Sequence, residues 1–221
     1  MNILYQADQL YAQRAELSKV RESVELLRSD LRASRFEVQW RLSRAYFFLG
    51  QEAETPAEAK QHHRDGATTG RSAAFSELDR VEGHFWLGVN LALSAAAVPW
   101  WSAGFLALRA RQVLLRAVAI SPGYHGAGPH RVLARLMSRM PRLLGGGPTA
   151  ARRHFESAVR IDPANTVTRI YYAEFLRSKG KFEESRKHLR VVIDAPPDDN
   201  WAFEQARDRA IARHWLAQAE R

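Results

Sequence analysis

Arginine carries most of the chemistry that this sequence has to offer. Four helix-like segments, WRLSRAYFFLG, FWLGVNLAL, HRVLARLM and RIYYAEFLRSKG, each place a large residue before a small one: Leu42-Ser43, Leu87-Gly88, Leu133-Ala134 and Tyr172-Ala173. If the small residue faces a partner helix, the residues three before it, one after it and four after it share a neighbouring face. That face comprises Trp40, Arg44 and Phe47 in the first segment and Phe85, Val89 and Ala92 in the second. In the third it is Arg131, Arg135 and Ser138, and in the fourth Ile170, Glu174 and Arg177. Guanidinium groups hold carboxylates through paired, charge-assisted hydrogen bonds. A groove of this composition, aromatic first and arginine-rich later, suits a peptide or ligand with an apolar part and a carboxylate. An ordinary solvated face is the competing reading.

Catalytic and metal chemistry find less to work with. There is no cysteine, which excludes disulfides, thiolate nucleophiles and zinc ribbons. His62 and His63 are adjacent, hence on different faces of a helix, and no third histidine stands at ligand spacing, so no metal site is expected. The run LLGGG at Leu143 to Gly147 lacks the Lys and Ser or Thr of a nucleotide loop. No enzyme activity and no cofactor are therefore expected. His130 and Arg131 follow Gly126, Gly128 and Pro129. They mark either a helix start open to an anion or a turn that one of them ties to a neighbour. Asn90 and His84 interrupt an apolar helix and are either groove groups or buried residues bonded to the backbone. The net charge of +9 and pI near 10.3 invite a nucleic acid, but the basic residues are spread among acidic ones with no block of like charge. A dispersed solvated surface explains the charge, and nucleic acid is not the expected partner.

The elements that must position these residues follow a period. AVAISPGY, AVRIDPAN and VVIDAPPDDN close on Pro122, Pro163 and Pro197, which are 41 and 34 residues apart. Thirty-four is the tetratricopeptide period, and the longer interval adds loop. Each proline ends an amphipathic helix, since the residue before it is driven out of the α region. The expected fold is all-α, a tetratricopeptide-like α-solenoid of about five antiparallel helix pairs with a C-terminal capping helix, in a single domain over 1–221. Residues 36–197 form the core repeats, 198–221 the cap, and 1–35 a further helix pair with Val24, Leu27 and Leu31 as its stripe. Gly50 and Gly180 are expected at left-handed helix ends, and Thr55 as an N-cap with Pro56 and Glu58 behind it.

From Phe85 to Leu108 there are 24 residues without a charge, long enough for a membrane span. Pro99 at its centre argues for a hairpin instead: a helix over 81–96, a turn over Val98 to Ser102, and a second helix to Ile120. Leu106, Ala110, Leu114 and Ala117 make its buried stripe, and no transmembrane span is expected. Trp100 and Trp101 at the tip pack within the chain, meet a membrane surface as a peripheral contact, or are buried by another subunit.

The succession EGHFWLGVNLAL (82–93), SPGYHGAGPHRVLARL (121–136) and MPRLLGGGPTAARRHFESAVRIDP (140–163) resembles the T-component of tripartite ATP-independent periplasmic transporters, the TatT-like proteins. The resemblance implies an all-α fold without catalysis, a homo-oligomer with a trimer among its forms, and association with a substrate-binding protein. It also implies a channel for apolar or organic-acid ligands. Family members are exported lipoproteins, whereas MNILYQADQLYAQRAELSKV shows no leader and the chain has no cysteine. The expected location is cytoplasmic as the chain stands, and periplasmic if a leader was removed. The leading expectation is a non-catalytic scaffold for protein–protein interaction, its partner unidentified.

Overall fold

Close approach between helices is what the small residues of this chain achieve. The computed structural model describes residues 2–29, 35–98 and 100–218, and among these every regular element is helical. The helices are α1 (Ile3–Ala12), α2 (Leu17–Ser29), α3 (Arg35–Gln51), α4 (Pro56–Ser76), α5 (Val81–Ala96), α6 (Trp100–Ile120), α7 (Tyr124–Arg139), α8 (Pro148–Ile161), α9 (Thr166–Arg177), α10 (Phe182–Asp194) and α11 (Ala202–Gln218). They pack as two compact units, Met1–Ser121 and Pro122–Arg221.

In the first unit α1 packs on α2, α3 on α4, and α5 on α6, with α3 and α4 both against α5. Serine hydroxyls stitch two of these pairs by donating to a backbone carbonyl of the partner helix: Ser23 Oγ to Ala7 O at 3.0 Å and Ser43 Oγ to Gly66 O at 2.7 Å. A side chain at Gly70 would stand 2.9 Å from the backbone of Leu87, and one at Gly83 only 2.6 Å from the backbone nitrogen of Ala74. These helices touch backbone to backbone there. Gly88 works differently, because the space it leaves receives the large Leu114 of α6, 2.5 Å from where a Cβ would lie.

Several boundaries follow from local chemistry. Thr55 accepts from Glu58 N at 3.2 Å with Pro56 in the first turn, as the capping pattern requires. Ala110, Leu114 and Ala117 are fully buried, while Leu106 is half-buried. Two expectations need correction. Gly50 is not a left-handed cap but lies inside α3, where a side chain would strike the ring of His63 at 2.5 Å. The loop expected over Val98 to Ser102 is shorter, because α6 already begins at Trp100. Pro99, Leu31 and the side chains of Trp100 and Trp101 lie outside the described residues. The apolar run is thus split between α5 and α6, and among the described residues no helix is long and apolar enough to cross a membrane.

In the second unit α7 packs on α8, α9 on α10, and α11 lies against both α9 and α10. The same device recurs: Ser185 Oγ on α10 donates to Ala173 O on α9 at 3.0 Å. Ile170, Ala173, Leu189, Val192 and Ala212 form a buried cluster flanked by Ile211, Trp215 and Leu216, so α11 closes this end with its apolar side inward. Gly180 has φ 71°, and Lys181 N returns to Leu176 O at 2.9 Å, the left-handed ending expected of it.

Candidate functional site

The predicted face of the first unit is mostly closed. Phe85 and Val89 are core residues, Trp40 is buried, and Phe47 is half-buried against Trp86 with ring centres 5.4 Å apart. Arg44 already has a carboxylate: it donates to Asp8 of α1 at 2.6 Å while lying 3.9 Å over the ring of Tyr11. Arg41, missed by the sequence reading, holds the same Asp8 through contacts of 2.9 to 3.1 Å. Burial opposes ionisation of Asp8, but these two guanidinium groups prevail and keep its carboxyl below the usual value. The reason for the miss is that α1 contributes Asp8 across the face of α3, a long-range pairing that helical spacing within α3 does not encode.

Asn90 and His84 are internal. Asn90 Nδ2 donates to Ser43 O at 3.1 Å and Trp86 O at 3.0 Å, and its Oδ1 lies 3.3 Å from His63 Nδ1. His84 Nε2 lies 2.9 Å from Leu78 O. Asn90 therefore joins α3, α4 and α5 while its own buried amide is satisfied.

Burial holds the imidazoles of His63, His130 and His188 below their usual value, His188 at about 4 with nearby Arg169 adding to the effect. Arg169 NH1 donates to His188 Nδ1 at 2.9 Å, which requires an unprotonated ring nitrogen. The unfolded chain binds protons at these rings near pH 6.5 and the folded chain does not. Their contribution is therefore fully present above about pH 6.5 and is lost as the pH falls towards the folded values. The melting temperature is expected to drop by several degrees between about pH 7 and pH 5, and His188→Gln is expected to flatten that slope. A flat wild-type profile would contradict this assignment.

The first unit leaves four large apolar residues exposed near one another. Phe75 is 69% exposed, Leu78 59%, Phe105 71% and Leu108 41%. Together with Leu87 and Val113 they wall a groove of about 600 Å³ between α6 and the end of α4, with Arg109 and Arg116 also lining it. Arg116 pairs with Asp79 at 2.7 Å. The signal available in the sequence was that Phe105 and Leu108 lie on a different side of α6 from the Ala110–Leu114–Ala117 stripe, so one of the two apolar sides had to remain uncovered by α5.

In the second unit the predicted residues divide. Arg131 is 4% exposed and is no part of an open face. Its NH1 donates to Gly126 O at 2.7 Å, Thr168 Oγ1 at 3.3 Å and Asn165 Oδ1 at 3.4 Å, and its NH2 to His125 O at 3.2 Å. These bonds grip a turn in which His125, Gly126 and Ala127 all have left-handed backbone, φ 52°, 61° and 58°. Only glycine adopts that conformation freely. Burial lowers the Arg131 guanidinium to about 10, which leaves it charged at neutral pH. Arg135, Glu174 and Arg177 do reach the surface: Arg135 lies 3.8 Å over the Tyr171 ring and 3.5 Å from Glu174, and Arg177 lies 5.2 Å over Trp215.

Among the described residues no group of three potential metal ligands occurs. The acidic Asp208 is bound by Thr166 at 2.8 Å and by Arg207 at 3.0 Å, a structural role. A family model described as the TRAP transporter T-component matches residues 7–216. Among solved structures, a thermophilic TPR protein from Thermus thermophilus superposes with a TM-score of 0.71 at 18% identity, covering 98% of this chain and 98% of that one. At that identity the likeness is one of fold. No curated protein matches the chain.

Proposed function

This chain belongs to the TRAP transporter T-component family, and on that premise we propose that it is a non-catalytic helical-repeat accessory protein that binds another protein through the groove between α4 and α6. The observation that carries this reading is the exposure of Phe75, Leu78, Phe105 and Leu108 around one groove. Large contiguous apolar patches on a folded surface mark interaction sites. Covering a side chain of this size contributes roughly 1.5–3 kcal/mol. Trp100 and Trp101 begin the same α6, and because tryptophan is enriched among interface anchors the proposal extends to them as contacts with a partner or a second copy in a homo-oligomer.

The test is sedimentation and titration of the purified protein with the substrate-binding protein of its transport system. Replacing Phe75 and Phe105 by Glu should weaken the complex at least about tenfold, a loss of roughly 1.4 kcal/mol or more, without lowering the melting temperature. A complex of unchanged affinity would end the proposal, as would a strict monomer that binds nothing. A second reading is favoured by the groove's dimensions: about 600 Å³ with Arg109 and Arg116 in its lining is room for a small apolar acid. Native mass spectrometry would then find a bound carboxylic acid that the Phe105→Glu variant lacks.

A further inference from the structure

We infer that the second unit carries a recognition site for the carboxylates of an acidic protein segment, built on α7 and α9 around Arg135, Arg139, Arg177 and Lys179. It is separate from the groove of the first unit, and either can fail alone.

Two of these arginines lie over aromatic rings, Arg135 with its guanidinium carbon 3.8 Å from the centre of Tyr171 and Arg177 5.2 Å from that of Trp215. A ring beneath a guanidinium restricts its motion while the donors at its edge stay available to take a carboxylate through two parallel bonds. Those edges are nearly empty. Arg135 has one long contact, 3.5 Å to Glu174, itself an exposed side chain. Among the described residues no carboxylate lies within 4.0 Å of Arg139, Arg177 or Lys179. The side-chain entropy of Arg135 and Arg177 is thus partly lost before any ligand arrives, which favours binding.

The surroundings select the ligand. Arg135, Arg139 and Lys179 border a recess of about 100 Å³ also lined by Phe155, Tyr171 and Phe175, with Glu174 the one acidic residue lining it. That volume suits a single acidic side chain or chain terminus, with carbon packed on the aromatic rings and oxygens among the cations. Arg177 borders a second recess of about 520 Å³ that includes the exposed Phe182 and also Glu183 and Glu184. Acidic residues beside both recesses repel a continuous polyanion such as a nucleic acid, whereas a peptide can place its carboxylates at the arginines and neutral residues beside the acids. Basic residues also sit favourably at helix C-termini, where α7 and α9 end, and that alone accounts for Arg139. It does not account for two guanidinium groups placed over rings, one with a single long carboxylate contact and the other with none among the described residues.

The experiment is fluorescence anisotropy at low salt with the full chain and a labelled hexapeptide, Glu-Glu-Leu-Glu-Glu-Leu. Saturable binding is expected, weakened about tenfold or more by Arg135→Gln and by Arg177→Gln, and changed less than about twofold by Arg190→Gln on α10. Arg139→Gln serves as a further surface variant if Arg135→Gln lowers stability, and it should weaken binding as well. A peptide with Gln in place of Glu should not bind. The inference is overturned if the acidic peptide does not saturate the protein, if Arg190→Gln weakens binding as much as the site variants, or if single-stranded DNA binds more tightly through the same residues.

Discussion

Arg131→Met is expected to destabilise the second unit by about 3–5 kcal/mol. Methionine fills much of the same space but donates nothing to Gly126 O, His125 O, Asn165 Oδ1 or Thr168 Oγ1, which Arg131 bonds at 2.7 to 3.4 Å. Each buried acceptor left alone costs about 1–3 kcal/mol. The turn they belong to is also strained, since His125 and Ala127 hold positive φ without being glycine, a cost of about 1–2 kcal/mol per residue. Exchanging a buried charge for an apolar side chain often stabilises a protein, but only where the charge's partners are removed with it. Here two of them, Gly126 O and His125 O, are backbone carbonyls and cannot be. Lysine keeps the charge but concentrates its donors at one point, so Arg131→Lys should recover less than half of the loss. Urea denaturation of the three proteins measures this, and a loss under about 1 kcal/mol for methionine would show that the turn holds itself.

Gly83→Ala is expected to cost the first unit about 3 kcal/mol and to lower its melting temperature by roughly 10 °C. The added methyl would lie 2.6 Å from Ala74 N and 2.8 Å from Ala73 C. Those are backbone atoms of α4 that no rotamer change can move aside, so α4 and α5 must separate. Gly104→Ala in α6 is the matched control, because nothing lies within 4 Å of the new Cβ. There the substitution should stabilise by about 0.5–1 kcal/mol, the ordinary gain from alanine inside a helix. Thermal melts of both variants decide the matter. If both move in the same direction, helix propensity and not helix contact governs these positions.

Much of the fold was legible because it is written in local patterns. The Pro122, Pro163 and Pro197 period, the Thr55 cap and the small residues at Ser43, Gly88, Ala134 and Ala173 each act within one helix or one pair. The all-α repeat architecture followed from them. Gly50 was misread because a glycine near a helix end looks like a cap, when its task is to admit the ring of His63 from α4. The candidate face was read less well, and the physical reason is distance. Helical spacing can place Arg44 beside Trp40, but it cannot reveal that Asp8 will occupy both Arg41 and Arg44, nor that Arg131 will turn inward to bind carbonyls five and six residues before it. The open groove was missed for the opposite reason: Phe105 and Leu108 lie in the apolar run but outside the Leu106–Ala110–Leu114–Ala117 stripe, and only the packing of α5 shows which side of α6 remains uncovered.

The most direct test of the central claim, that the groove of the first unit binds a protein partner, is hydrogen exchange on the chain alone and in complex with the substrate-binding protein proposed as its partner. The account predicts new protection at the end of α4 near Phe75 and along α6 from Phe105 to Arg116. A complex that forms while both segments exchange as they do in the free chain would contradict it.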